Sequence, residues 1–366
     1  MRKAAGGDAE RGRAQPADTS RRAPTQPADA VRLRARAQLV GEDARAASPA
    51  AVLDQVFAIQ AQDADAAALG LRARGVRERA QVAVALEGER SAFRGWFMRG
   101  TLHLVPAADA RWLLALYGPR NIAANARRYR ELGLDDALCA RAERLLLRAV
   151  TDHGPLTRAE LTARLVSGVG IPPKGQAAFH LISRACLSGL ICHGPSKDGE
   201  QAYAALADWL PKAPAPPADP AAELARRYQR AYVPADADDF AMWAGLPKPA
   251  ARAAWRAAGA AEPSAASPPS GPPLADDRRP GPDIRLLPMY DGHWLGHRDH
   301  NHAPKAIRPG GGLIRAAVIA DGTAIGTWTR PAGTVQIDLF AQPQADTPAA
   351  AEIAAEQDAV TRFLRP

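Results

Sequence analysis

Cysteine is almost missing from this chain: three in 366 residues, Cys139, Cys186 and Cys192. An odd number at no metal-ligand spacing excludes a disulfide framework and zinc-finger chemistry, and fits a reducing compartment. Long hydrophobic runs are missing too. Nothing approaches the roughly 18 consecutive apolar residues that a membrane-spanning helix needs, and the first thirty residues have no apolar stretch of the kind a secretory signal carries. A soluble cytoplasmic protein is expected. The usual catalytic signatures are also absent: no Gly-rich phosphate loop, no GxSxG elbow, no HExxH and no Cys/His pair at ligand spacing. Lysine is scarce, with Lys3, Lys174, Lys197, Lys212, Lys248 and Lys305 making up the whole complement.

Arginine is what the chain has in place of lysine. The formal net charge is +8, and it is unevenly spread. Residues 1–30 carry six Lys/Arg against four Asp/Glu, whereas residues 31–130 carry sixteen Arg against nine Asp/Glu and not one Lys. The planar guanidinium bonds phosphate bidentately, so the bias suits a nucleic-acid face. A GC-rich genome would give the same excess of Arg and Ala with no partner implied, and composition leaves both readings open.

Along the chain, residues 1–30 read as a disordered tail, without periodicity and rich in Pro, Ala and Gly. Pro211–Pro220 reads as a semi-rigid linker, and a second proline-rich stretch follows Glu262. Ser48-Pro49 is an N-cap with a first-turn proline, opening a helix on which Val52, Leu53, Val56, Phe57 and Ile59 recur at helical spacing. Residues 94–105 switch to strand character, broken by Gly95 and Gly100, and a long helix follows from Ala107. In the next segment a helix over 136–152 stops at Gly154-Pro155. Thr157-Arg-Ala-Glu160 is a capping box for a second helix, a third covers 176–187, and strands at 190–193 and 201–206 flank a turn-rich stretch. Three helices and a hairpin is the order of a winged helix, although a generic helical domain with one hairpin would show the same pattern. Three more helices are expected over 221–258. Short strands then follow at 284–287, 313–320, 323–329 and 335–340, with Asp321-Gly322 as a hairpin turn. Their number suggests a small barrel or curled sheet, and a helix from Pro348 closes the chain.

Two constellations could carry chemistry. His293, His297, His300 and His302 fall within ten residues, but Gly292 and Gly296 argue against the helix that would let His293 and His297 share a metal, and satisfied or exposed histidines are the simpler reading. In Gln60-Ala61-Gln62 the two amides would diverge by about 200° on a helix. They converge only if the chain is extended or turning there, and taken alone the default reading of the two is an exposed helix end.

The run Val56-Phe-Ala-Ile-Gln-Ala-Gln-Asp63 resembles the QxQ motif of the winged-helix DNA glycosylases of the AlkZ/YcaQ type, and Arg99-Gly-Thr-Leu-His-Leu-Val105 resembles a second hallmark of that family. Glu131-Leu-Gly-Leu134, Gly245-Leu-Pro247, Leu287-Pro-Met-Tyr-Asp291, Leu295-Gly-His-Arg-Asp299 and Gly326-Thr-Trp-Thr-Arg330 also match, in order, over about residues 31–342. Tyr290-Asp291 stands where relatives often have Phe-Asp, and His297 where a Tyr is frequent. The resemblance implies a mainly α fold with small β, in which tandem winged-helix (helix-turn-helix) motifs are joined to a C-terminal β-barrel-like domain. The expected divisions are the tail at 1–30, winged-helix regions at 31–135, 136–210 and 221–260, a Pro-rich loop at 261–282, the β domain at 283–345 and a helix at 346–366.

It further implies a DNA-repair glycosylase that removes N-alkylated purines and unhooks crosslinks. Gln60 and Gln62 would be the catalytic pair of the branch with Gln at both positions. Arg99, Thr101, His103, Lys174, Lys248, His300, His302 and Arg330 are the DNA-binding candidates. Lys174 and Lys248 each precede an expected recognition helix, and His300 and His302 lie in a loop suited to probing the minor groove or lesion. No cofactor and no metal are expected. The partner would be double-stranded DNA with alkylated bases, bound by a nucleoid-associated monomer away from membranes. The alternative is a winged-helix DNA-binding regulator without catalysis.

Overall fold

The computed structural model describes residues 27–41, 46–210, 212, 214–259, 282–299, 303–341 and 348–365. The chain is mainly helical, with three small antiparallel sheets. A first helix, α1 (Pro27–Ala37), begins inside the stretch expected to be disordered tail. Residues 1–26 lie outside the described residues.

Helix α2 (Pro49–Val56) is capped by the Ser48 hydroxyl, which accepts from the Ala51 N–H at 3.2 Å. It does not run on to Ile59 as the apolar spacing suggests. Phe57 turns into the left-handed region at φ 65° and its N–H closes the helix on the Leu53 carbonyl at 2.9 Å. The ring is fully buried and stacks on Trp112. Burial thus explains the apolar residues past the helix end, and it holds a backbone conformation that a bulky residue rarely adopts.

The chain then forms the two-residue strand β1 (Ile59–Gln60), helices α3 (Ala64–Ala73) and α4 (Arg79–Ala83), and the hairpin β2 (Ala92–Trp96) and β3 (Leu102–Pro106). Gly95 sits within β2 and does not break it. Helices α5 (Ala110–Ala124) and α6 (Ala126–Glu131) follow.

Next come α7 (Asp136–His153), β4 (Leu156–Thr157), α8 (Arg158–Val169), α9 (Ala177–Leu187), β5 (Ile191–Lys197) and β6 (Glu200–Ala205). Thr157 and Glu160 form the expected capping box, at 3.2 and 2.7 Å. The strand order β1-β3-β2 in the first sheet recurs as β4-β6-β5 in the second. Two units therefore share one topology, helix–strand–helix–helix–hairpin, though no sequence period links them. The units pack together through α9, which lies against α5, α7 and β2 and buries eight of its eleven residues. Gly118 of α5 lets this happen, because a Cβ there would collide with the Leu187 carbonyl.

After the short helix α10 (Leu206–Trp209), helices α11 (Pro220–Ala231), α12 (Ala237–Ala244) and α13 (Lys248–Ala257) form a third triplet. An aromatic group of Tyr228, Tyr232, Phe240 and Trp243 lies at its centre.

The C-terminal part comprises β7 (Ile284–Leu287), the single helical turn α14 (Gly292–Leu295), β8 (Ala317–Ala320), β9 (Thr323–Thr329), β10 (Gln336–Leu339) and α15 (Pro348–Phe363). Asp321 and Gly322 make the β8–β9 turn with positive φ at both positions, as a tight hairpin requires. The expected barrel is not found. The four strands form an open sheet in the order β10-β9-β8-β7, and no strand among the described residues joins β10 to β7. Helix α15 packs on β7, and the Glu356 carboxylate accepts from the Leu286 N–H at 3.0 Å, so a side chain takes up edge bonding that a closing strand would otherwise supply.

Candidate functional site

The two glutamines stand between the turn at Phe57 and the start of α3, Gln60 as the last residue of β1 and Gln62 in the bend that follows it. Ile59 and Gln60 pair with Leu104 and His103 of β3, and the Ala61 N–H continues the ladder by donating to the Leu102 carbonyl at 2.8 Å. Gln60 is half-buried at the end of the strand and Gln62 is exposed in the bend just past it, while Ala61 between them is fully buried. The Gln62 Oε1 accepts from the Leu102 N–H at 3.3 Å. Only the carbonyl end of the amide can accept that proton, so this contact orients the group and leaves a second lone pair on the oxygen. Asp63 then caps α3, accepting from the Ala66 N–H at 2.8 Å, and this ends the extended segment.

Several cations lie around this edge. Arg94 of β2 spans β3 to donate from Nε and Nη2 to the Ala61 carbonyl, at 3.0 and 2.8 Å. Asp65, in the first turn of α3, is held by Arg79 and by Arg330, which reaches in from the end of β9 at 3.0 Å. Its pKa is lowered chiefly by the hydrogen bond from Arg79. Arg330 therefore joins the C-terminal sheet to the helix that follows the glutamines.

His103 lies beside Gln60 in the β1–β3 ladder and is only 3% exposed. Its Nδ1 is 2.9 Å from the Thr101 carbonyl, a contact that places the proton on that nitrogen. Burial, with the nearby Arg99 charge, pulls its pKa down to about 3, so the ring is neutral at physiological pH. Thr101 donates its hydroxyl to the Met98 carbonyl at 3.2 Å. Arg99 is exposed at a tight turn, with φ 55°, and its Nη1 donates to the Trp243 carbonyl, linking the β2–β3 turn to α12.

The remaining candidates are farther apart along the fold. Lys174 is exposed in the loop before α9, but α9 itself is too deeply packed to enter a groove. Lys248 starts α13 and lies 3.7 Å from Asp238. Arg252 and Arg256 follow at spacings of four, so all three cations share the exposed face of that helix. His300 and His302 lie outside the described residues. His293 and His297 are buried, with Nε2 atoms 3.0 Å from the Gly322 carbonyl and 2.8 Å from the Tyr232 carbonyl respectively. The single turn of helix at 292–295 was not expected, yet it does not bring the two rings to a common ligand. Among the described residues no group of three or more His, Cys, Asp and Glu could hold a metal. A depression of about 700 Å³ on the second unit is lined by Arg158, Thr162, Val166, Pro173 and Glu200, and by none of residues 60–62.

Two features escape sequence reading. Arg94 carries one signal, a charge inside the otherwise buried strand Ala92-Phe-Arg-Gly-Trp96. The other is the pair Arg74–Asp291, each 1% exposed, with contacts of 2.8 and 2.7 Å. Gln38, just past α1, accepts from Arg74 at 3.1 Å and donates to the Ala231 carbonyl at 2.7 Å. Four parts of the chain thus meet at one buried cation behind α3.

The chain is thus built of helical units edged by small antiparallel sheets. DNA glycosylase AlkZ of Streptomyces sahachiroi has this fold, with a TM-score of 0.68 at 23% identity over 91% of this chain and 95% of that one. No curated protein matches the chain. The family model for AlkZ-like DNA glycosylases matches residues 53–363, and the chain belongs to that family. Among the described residues no helix is long and apolar enough to cross a membrane.

Proposed function

We propose that the protein is a monofunctional DNA glycosylase of the branch with Gln at both motif positions. It hydrolyses the N-glycosidic bond of N-alkylated purines and, as a second activity, unhooks interstrand crosslinks. The observation that carries this reading is the placement of Gln60 at the end of β1 and of Gln62 in the bend just past it, with the Gln62 amide oriented by the Leu102 N–H.

The chemistry suits amides. A purine alkylated at N7 or N3 is already cationic and leaves without a general acid. The protein has to position water and stabilise an oxocarbenium-like sugar. The free lone pairs of the two amide oxygens accept hydrogen bonds from water and present partial negative charge to the sugar. An amide is no base near neutral pH, so neutral, stable bases fall outside this chemistry. His103 next to Gln60, neutral at working pH, adds no competing positive charge beside a cationic sugar.

Residues 31–205 read as two tandem winged helices and α11–α13 as a third region. DNA is held by phosphate contacts in which Lys248, Arg252 and Arg256 on α13, and Arg99, Lys174 and Arg330, take part. A regulator that reads sequence with its third helix would need that helix free, and the burial of α9 disfavours this for the second unit. The deciding measurement is release of free base from duplex DNA containing N7-methylguanine. The expected result is base release by the wild type, an intact strand bearing an abasic site, and loss of release in Gln60→Ala and Gln62→Ala with DNA affinity kept within a few-fold. Equal activity of the wild type and the double alanine variant would remove the glutamines from the mechanism. Binding without base release would favour the regulator.

A further inference from the structure

The segment that carries the glutamines is weakly determined by its own sheet. Strand β1 is two residues long and lies at an edge, so only Ile59 and Gln60 are paired in the ladder. The chain at Ala61 and Gln62 is instead gripped from two directions. Leu102 of β3 takes the Ala61 N–H on its carbonyl and gives its own N–H to the Gln62 side chain, at 2.8 and 3.3 Å. From β2, two strands away, the Arg94 guanidinium puts Nε and Nη2 on the Ala61 carbonyl at 3.0 and 2.8 Å, with Nη2 also 3.5 Å from the Gln62 carbonyl.

This is an unusual use of an arginine. Arg94 is only half-exposed, and burial disfavours its charge, lowering its pKa. Partial desolvation is opposed by bonds to neutral carbonyls, while the nearest carboxylate influence comes from Asp63. The fork of Arg94 is spent on the main chain of the motif itself. A carbonyl held by two charge-assisted donors cannot rotate easily, and the direction of the Ala61–Gln62 peptide sets where the Gln62 side chain starts.

We propose that Arg94 is the positioning residue of the glutamine pair, locking the Ala61–Gln62 peptide so that both amides face the substrate. This rests on the reading of Gln60 and Gln62 as the catalytic pair. It assigns Arg94 no contact with DNA.

The test compares wild type, Arg94→Ala, Arg94→Lys, Gln62→Ala and the double variant Gln60→Ala/Gln62→Ala on duplex DNA containing N7-methylguanine. Single-turnover excision rate, DNA affinity and its salt dependence, and amide hydrogen exchange over 59–63 and at Leu102 are measured. Arg94→Ala should lower the excision rate about 100-fold, the scale of an ångström of misplacement, with affinity within about three-fold and the salt slope unchanged. Arg94→Lys should recover part of the rate, since an ammonium can hold one carbonyl but not with a fork. Added methylguanidinium, against equal sodium chloride, should raise the rate of Arg94→Ala and not that of Gln62→Ala. Exchange at Ala61 and Leu102, whose N–H groups are bonded at this grip, should quicken in Arg94→Ala.

Wild-type excision by Arg94→Ala, or unchanged exchange over 59–63, would overturn the proposal. So would a fall in affinity matching the fall in rate, with the salt slope reduced by about one, because that marks a phosphate contact. The underlying reading fails separately, if the double glutamine variant excises like wild type. Exchange still reports on the grip of Arg94 in that case.

Discussion

The buried Arg74–Asp291 pair gives the sharpest stability test. Both side chains are 1% exposed, and the carboxylate accepts from both terminal nitrogens of Arg74, at 2.7 and 2.8 Å, as well as from the His293 N–H at 2.9 Å. Arg74→Met keeps the side chain's bulk and removes its charge, leaving Asp291 ionised in the interior with one backbone donor. Losing one partner of a buried pair costs about 3–5 kcal/mol. For a chain of 366 residues, with an unfolding entropy of about 2.1 cal/mol/K per residue, this lowers Tm by roughly 4–7 °C. Asp291→Asn should cost a similar amount from the other side, while Arg74→Met with Asp291→Leu should regain most of the loss, because no unpaired charge remains. Urea unfolding and calorimetry on the four proteins give the coupling directly. A single Arg74→Met variant within about 1 kcal/mol of wild type would refute the reasoning. The pH dependence has a fixed sign. Burial alone would raise the Asp291 pKa, but the Arg74 charge and hydrogen bonds hold it below its ordinary 3.8. The stabilisation is therefore present above pH 3.8 and is lost as pH falls through the lower folded value.

Other outcomes follow from the same contacts. Burial holds both His103 and His193 at a pKa of about 3, below the ordinary 6.5, so the unfolded chain takes up protons first as the solution is acidified. Urea midpoints should fall between pH 7.5 and pH 5, and His193→Gln should flatten that slope. The same neutrality of His103 predicts an excision rate with no inflection near pH 6.5, and a titration there assigned to His103 by its substitution would contradict it. Log DNA affinity should fall linearly with log salt, and replacing Lys248, Arg252 and Arg256 together with Ala should flatten the slope by up to about 0.9 per lost phosphate contact. An unchanged slope would take α13 out of the interface. Borohydride should trap no protein–DNA adduct, since no lysine lies within 59–63 and Lys197 and Lys248 pair with Glu160 and Asp238. Efficient trapping abolished by Lys305→Ala would show an amine mechanism.

Where neighbouring residues decide the structure, the amino-acid sequence was sufficient. The Ser48 cap, the Thr157–Glu160 capping box, the stop of α7 at Gly154 and the Asp321-Gly322 turn each depend on bonds or dihedrals within a few positions, and all were legible. So was the departure from helix at Gln60-Ala61-Gln62, where chain that is extended or turning is required for the amides to converge and a strand end followed by a bend is found.

Other features were settled only by what the chain brings together from afar. Phe57 and Ile59 have helical spacing, yet the helix stops before them because the Phe57 ring packs beneath Trp112. The C-terminal strands had the number for a curled barrel, but α15 and its Glu356 occupy the edge where closure would occur. Nothing local distinguishes a third helix free to enter a groove from α9, whose burial depends on α5, α7 and β2. Arg74 and Asp291 are 217 positions apart and Arg94 and Ala61 are 33 apart. Caps and turns are chosen by short-range hydrogen bonds and can be read residue by residue. Which arginine is withdrawn from solvent, and which carbonyl it then holds, depends on desolvation by the whole fold, and only the tertiary structure decided that.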